Sequence, residues 1–119
     1  MPAAQGPNTN SEETRLIAEI NDNFRRFLTG GQSVITQGVQ ALTKDQQIAV
    51  LRGVTNFTDF NPDNDPHHEH DFGAIEIDGG IKIFWKIDYY DLSLTYHSPD
   101  ATNPKVTRRV LTIMLASEY

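Results

Sequence analysis

The stretch Ala74-Ile75-Glu76-Ile77-Asp78-Gly79-Gly80-Ile81-Lys82-Ile83-Phe84-Trp85-Lys86-Ile87-Asp88-Tyr89 decides the fold class. Before it, apolar residues recur every three or four positions; within it they recur every two. Ala74–Asp78 reads as a strand with Ile75 and Ile77 on one side. Asp78-Gly79-Gly80 reads as a tight hairpin turn, because glycine takes the positive φ such turns demand. Ile81–Tyr89 is then the longest strand. Ile81, Ile83, Trp85 and Ile87 share its buried face, and Lys82, Phe84, Lys86 and Asp88 share the other. Glu76 can pair with one of those lysines across the strands.

Toward the C-terminus, Tyr90-Asp91 turns the chain and Leu92–Tyr96 returns as a third strand. His97–Pro104 is a loop in which Asn103 caps and Pro104 takes the first position of a helix. That helix is expected over Pro104–Ser117, with Val106, Val110, Ile113, Met114 and Ser117 inward and Leu111 and Leu115 widening the stripe. Arg108 and Arg109 would then lie in its first turns, where cations oppose the helix dipole. A bidentate pairing with a loop acid or a phosphate-bearing partner would account for them; a solvated helix face is the plain alternative.

Toward the N-terminus, a helix is expected from Glu12 to Leu28. Leu16, Ile20, Phe24, Phe27 and Leu28 form its stripe, Asn10 or Ser11 its cap, and Gly30-Gly31 its stop. Ser33–Thr36 is a short β-branched edge strand. Thr43 and Gln46 form a capping box that opens a helix over Lys44–Thr55, with Ile48, Leu51 and Val54 inward and Val50 and Phe57 flanking. Residues 1–11 read as a flexible tail and 12–119 as one domain. The expected fold is α+β: a three-stranded antiparallel meander sheet with three helices packed on one face, in the order helix-helix-strand-strand-strand-helix.

The segment before the hairpin carries most of the chemistry. It reads Asn61-Pro62-Asp63-Asn64-Asp65-Pro66-His67-His68-Glu69-His70-Asp71-Phe72-Gly73, a polar loop stiffened by two prolines. His67, His68 and His70 with Asp71 are candidate ligands for a divalent metal, because imidazole and carboxylate together suit zinc, manganese or iron. The loop is not an EF-hand: counted from Asp63, position six is His68 and position twelve is Ala74. There is no His-Glu-x-x-His motif. As a structural loop, the same residues would cap turns and bond to backbone carbonyls. Asp88, Tyr89, Tyr90 and Asp91 end the long strand, where they can face this loop or simply pack.

Among 119 residues there is no cysteine, which excludes a disulfide staple, a thiolate nucleophile and a cysteine zinc site. No Gly-x-Ser-x-Gly elbow and no phosphate-binding glycine loop occur, so no residue is assigned a catalytic role. No apolar run approaches ~20 residues and no signal-peptide pattern opens the chain, which points to a cytoplasmic protein. The net charge of −6 is uneven. Thr58–Asp100 holds ten acids against two lysines, hence −8, and the remainder holds six acids and eight basic residues, hence +2. Direct nucleic-acid binding needs the opposite sign. A protein partner with a basic surface fits it.

Three motifs carry a family resemblance. They are Asn64-Asp65-Pro66-His67-His68-Glu69-His70-Asp71-Phe72-Gly73, Ile83-Phe84-Trp85-Lys86-Ile87-Asp88-Tyr89-Tyr90-Asp91 and Thr107-Arg108-Arg109-Val110-Leu111-Thr112-Ile113-Met114-Leu115. Over Leu16–Tyr119 the chain resembles a domain-of-unknown-function family of small proteins from alphaproteobacterial plasmids and other mobile elements. The resemblance implies a bacterial protein carried by mobile DNA and brings no catalytic residue with it.

Two functions from different classes follow. One is a non-enzymatic acidic interaction protein, in its narrower form an inhibitor of a host defence or nucleic-acid-handling complex. Its interaction residues would be Asp63, Asp65, Glu69, Asp71, Asp88, Tyr90, Asp91, Arg108 and Arg109. The other is a metal-binding protein or metal-dependent hydrolase centred on His67, His68 and His70. A third option is a structural subunit that forms a homodimer through the outer strand face, Phe84 and Tyr90.

Overall fold

The computed structural model describes residues 5–119, with side chains from residue 11 onward. Its elements are α1 (Gln5–Phe27), β1 (Gln32–Ile35), α2 (Gln37–Gln40), α3 (Lys44–Thr55), β2 (Phe72–Ile77), β3 (Ile81–Tyr90), β4 (Arg108–Leu115) and a closing 3₁₀ turn (Ala116–Glu118). The hairpin forms where the period-two pattern requires it. β2 and β3 are antiparallel with Ile75 opposite Ile83, and Gly79 and Gly80 hold positive φ in the turn.

The expected three-stranded meander is overturned. The sheet has four strands in the order β1-β4-β3-β2, and it is mixed: β1 runs parallel to β4, and the other pairs are antiparallel. Two misread segments account for the difference. Pro104–Ser117 is not a helix; it contains β4, whose side chains alternate. Thr107, Arg109, Leu111 and Ile113 are buried, while Arg108, Val110 and Thr112 lie in more open positions. β-branched Val106, Thr107, Val110, Thr112 and Ile113 suit a strand. Asn103 does cap, but it caps a turn: its side-chain oxygen accepts from the Lys105 N–H at 2.9 Å.

Leu92–Tyr96 is not a strand. The Asp91 carboxylate accepts hydrogen bonds from the Ser93 hydroxyl and from the N–H groups of Thr95 and Tyr96. Donors that would join a ladder are thereby turned inward into a loop. Only Tyr90 and His97 form a bridge there.

The helices form with shifted faces. α3 opens on the capping box of Thr43 and Gln46, yet it buries Val50 and Val54 while Ile48 and Leu51 are exposed. α1 runs through the expected cap at Asn10 or Ser11 without a break. Of the expected tail, residues 1–4 lie outside the described residues, and 5–11 continue α1. α1 buries Ile17, Ala18, Asn21, Phe24 and Arg25 and leaves Leu16, Phe27 and Leu28 open. The left-handed position that ends it falls on Leu28, with Gly30 also at positive φ. Gly31 serves close packing instead: a Cβ there would stand 2.7 Å from both the Arg109 carbonyl oxygen and the Phe24 ring.

α1 and α3 cover one face of the sheet. The core between them contains Phe24, Val50, Val54, Ile83, Trp85, Ile87, Leu111 and Ile113. The opposite face carries Phe72, Phe84 and Tyr119, whose rings meet at 5.3–6.0 Å. Glu118 fastens the C-terminus to the start of α2, accepting from the Thr36 hydroxyl at 2.6 Å and the Gly38 N–H at 2.9 Å. Among the described residues no helix is long and apolar enough to cross a membrane.

Candidate functional site: the central loop and its buried polar network

The loop between α3 and β2 is built on its own side chains. The Asn61 side-chain oxygen accepts from the N–H groups of Asp63 and Asn64, and Asn64 returns the bond to the Asn61 N–H. This knot turns Asp65 inward until it is 3% exposed, where its carboxylate accepts from the His70 N–H at 3.1 Å. His68 and His70 both take positive φ, at 60° and 56°. Left-handed backbone costs a non-glycine residue about 1–2 kcal/mol, so neighbouring contacts must hold each in place.

His70 shows what those contacts are. Its ring stacks flat on Phe60 at 3.9 Å. Its Nδ1 lies 3.0 Å from both carboxylate oxygens of Asp22 on α1, and its Nε2 lies 3.6 Å from Asp65. The imidazole is therefore a clasp between helix and loop, with each nitrogen facing a carboxylate. Asp22 also takes a bond from Arg25 at 2.8 Å. Arg25 donates onward to the Val54 carbonyl and lies over Trp85 at 5.0 Å. Burial lowers its pKa, and the Asp22 hydrogen bond opposes that effect.

Deeper still lies a second cluster. Asn21, fully buried on α1, donates to the Glu69 carbonyl at 2.9 Å and to the Tyr89 hydroxyl at 2.8 Å. Its side-chain oxygen accepts from Arg109 Nε at 2.7 Å. Arg109 also donates to the Ala101 carbonyl and lies over the Tyr89 ring at 4.9 Å. The Tyr89 hydroxyl donates to the Glu69 carboxylate at 2.9 Å. Burial first, and the Asp71 charge second, push the Tyr89 phenol up from its ordinary range. Burial lowers the pKa of Arg109. Asp71 is half-buried, and desolvation followed by the charge of Glu69 raises its carboxyl pKa.

The sequence-named site residues thus separate. Asp63, His67 and His68 face solvent, Asp65 is sealed, and Glu69, His70 and Asp71 are half-buried. His67, His68 and His70 do share a cleft of about 410 Å³ with Thr14, Arg15 and Ala18 of α1. Among the described residues, however, no three His, Asp or Glu side chains are grouped so as to hold a metal ion. Asp88 lies on the outer face, bonded to Lys86 at 2.8 Å. Tyr90 lies on that face opposite Arg108, Asp91 organises the loop after β3, and Arg108 Nε donates to the Leu92 carbonyl. Arg109 joins the network below the loop, without an ion pair to any loop acid.

Sequence reasoning missed Asn21, Asp22 and Arg25. Their signal was present: with Phe24 they fall on one helical stripe, and polar residues on a buried stripe need buried partners. No curated protein and no solved structure matches the chain. Residues 35–118, from the end of β1 to the closing 3₁₀ turn, match the model of a family described as "Protein of unknown function (DUF3768)". That match begins later than the Leu16 start of the resemblance, so the α1 half of the network lies outside it. The chain belongs to this family.

Proposed function

We propose that the protein is a non-enzymatic binding protein whose partner presents a basic surface. One observation carries the reading: Asp65, Glu69 and His70 of the central loop are engaged by their neighbours, while its outward acids Asp59 and Asp63 are free among the described residues. Asp65, Glu69 and His70 hold the loop to α1 and β3. Asp59 and Asp63 are exposed and, among the described residues, in no ion pair. A rigid loop that offers unpaired carboxylates meets a cationic surface at little entropic cost. The partner is a protein, because the charge of the chain repels nucleic acid. A groove that ordinarily holds nucleic acid is the basic surface that fits, in a host defence or nucleic-acid-handling complex. A cytoplasmic setting and carriage on bacterial mobile DNA belong to this proposal.

The test is capture from a bacterial lysate with the untagged chain coupled at low salt, against the double variant Asp59→Lys/Asp63→Lys. A protein retained by the native chain, released by salt and absent from the variant supports the reading. Identical capture by both forms refutes it.

A second reading, a divalent-metal-binding protein or metal-dependent hydrolase, draws on the cleft that the three histidines share. Against it, both nitrogens of His70 already face carboxylates. One zinc, manganese or iron per chain in untagged protein, lost in His67→Ala/His68→Ala, would put this reading first.

A further inference from the structure

At the corner where the chain enters β1 alongside the start of β4, a cavity of about 420 Å³ opens. We propose that it binds the phosphate group of a small phosphate monoester. Its wall contains Arg108, Arg109 and Gln32 and no carboxylate, in a chain whose net charge is −6. Among the described residues Arg108 is anchored by one bond, Nε to the Leu92 carbonyl at 2.9 Å, and Leu92 is part of the same wall. Its two terminal nitrogens are uncommitted among the described residues, so the guanidinium is fixed with its fork free.

Arg109 is 2% exposed, and its acceptors, the Asn21 side-chain oxygen and the Ala101 carbonyl, are neutral. It is in no ion pair among the described residues. Its guanidinium is turned to the covered face, away from that of Arg108, so Arg108 is the residue that offers a free cationic fork to the cavity. Gly30 and Gly31 complete the wall. Gly30 has φ +94 and Gly31 cannot carry a Cβ, so the backbone itself lines this corner, and backbone N–H groups in such turns receive phosphate oxygens. A single guanidinium fork pairs two phosphate oxygens at once, which suits the free end of Arg108. Leu92 and Pro104 supply an apolar side for a small organic body. A polyanion such as nucleic acid would meet the acidic remainder of the surface.

Amide-resolved NMR titration of the full chain tests this, with phenyl phosphate and inorganic phosphate as probes against sodium chloride at matched ionic strength. Saturable shifts at Gly30, Gly31 and Gln32, weakened about tenfold or more by Arg108→Gln and unchanged by Lys105→Gln, are expected. Arg108 is exposed and outside the core, so its variant retains the native spectrum elsewhere. Shifts that grow linearly, that chloride reproduces, or that survive Arg108→Gln overturn the proposal. Failure here leaves the acidic-loop reading untouched, because that reading uses Asp59 and Asp63.

Discussion

The covered face of the sheet has two unlike ends. Around Ile83, Leu111 and Ile113 it is apolar, closed by Val50 and Val54. Around Tyr89 and Arg109 it is polar, closed by Asn21. The first end needs hydrophobic volume of about the right shape, and a neighbouring hydrophobe can fill it. The second needs particular donors and acceptors at particular places, because a buried polar group left unpaired costs the full desolvation of that group. The polar end is also where α1, the central loop and the β4 start are joined. Specificity of assembly is thus concentrated there, and bulk stability at the other end.

The sharpest break in that contrast comes from Asn21→Leu, which keeps the branching and heavy-atom count of the side chain and removes three hydrogen bonds. A loss of about 3 kcal/mol or more is expected, because Arg109 Nε, the acceptor side of the Tyr89 hydroxyl and the Glu69 carbonyl each lose the bond that Asn21 provides. Ile83→Leu at the apolar end should cost under about 1.5 kcal/mol. Urea unfolding of both variants with unchanged m-values makes the comparison; equal losses would erase the distinction.

Tyr89→Phe should be milder, about 1 kcal/mol, since the half-buried Glu69 carboxylate regains water. A cost as large as that of Asn21→Leu would mean that the hydroxyl, not the amide, is the hub.

Asp71→Asn should raise the melting temperature slightly at pH 7. The folded-state pKa of Asp71 lies above the ordinary 3.8. Its charge therefore opposes folding as pH rises above that value. The gain from the amide should fade as pH falls to 3.8 and below, and a gain independent of pH would point to packing instead.

Asp63→Asn should leave stability within about 0.5 kcal/mol, because the side chain is exposed and unpaired. A larger loss would show that the outward half of the loop also holds the fold.

Local signals were legible in the sequence where one residue type has one use. Gly79-Gly80 placed the hairpin, Thr43 with Gln46 started α3, and the alternation of Ile81, Ile83, Trp85 and Ile87 set the buried face of β3. Reading failed where a polar residue is buried. Arg109 interrupts the period of two in β4, so Val110, Ile113 and Met114 looked like a helical stripe. Asn21 and Arg25 sit on the true inner face of α1, so the apolar neighbours Leu16 and Phe27 drew the stripe to the wrong side. The site suffered in the same way. The loop was found, but the residues that bind its inward half come from α1, far away in the sequence. No local pattern announces such a partnership.

The parallel pairing of β1 with β4 has a consequence for how the molecule is made. β1 emerges early and has its ladder partner in β4, the strand of this sheet furthest along the chain among the described residues. Until β4 leaves the ribosome, β1 is an unpaired edge and α1 lacks the Arg109 that its Asn21 binds. The β2–β3 hairpin is the piece able to form beforehand, from contacts close in sequence. The sheet therefore closes in one late step, and a chain cut short before β4 would be left with open strand edges that invite aggregation.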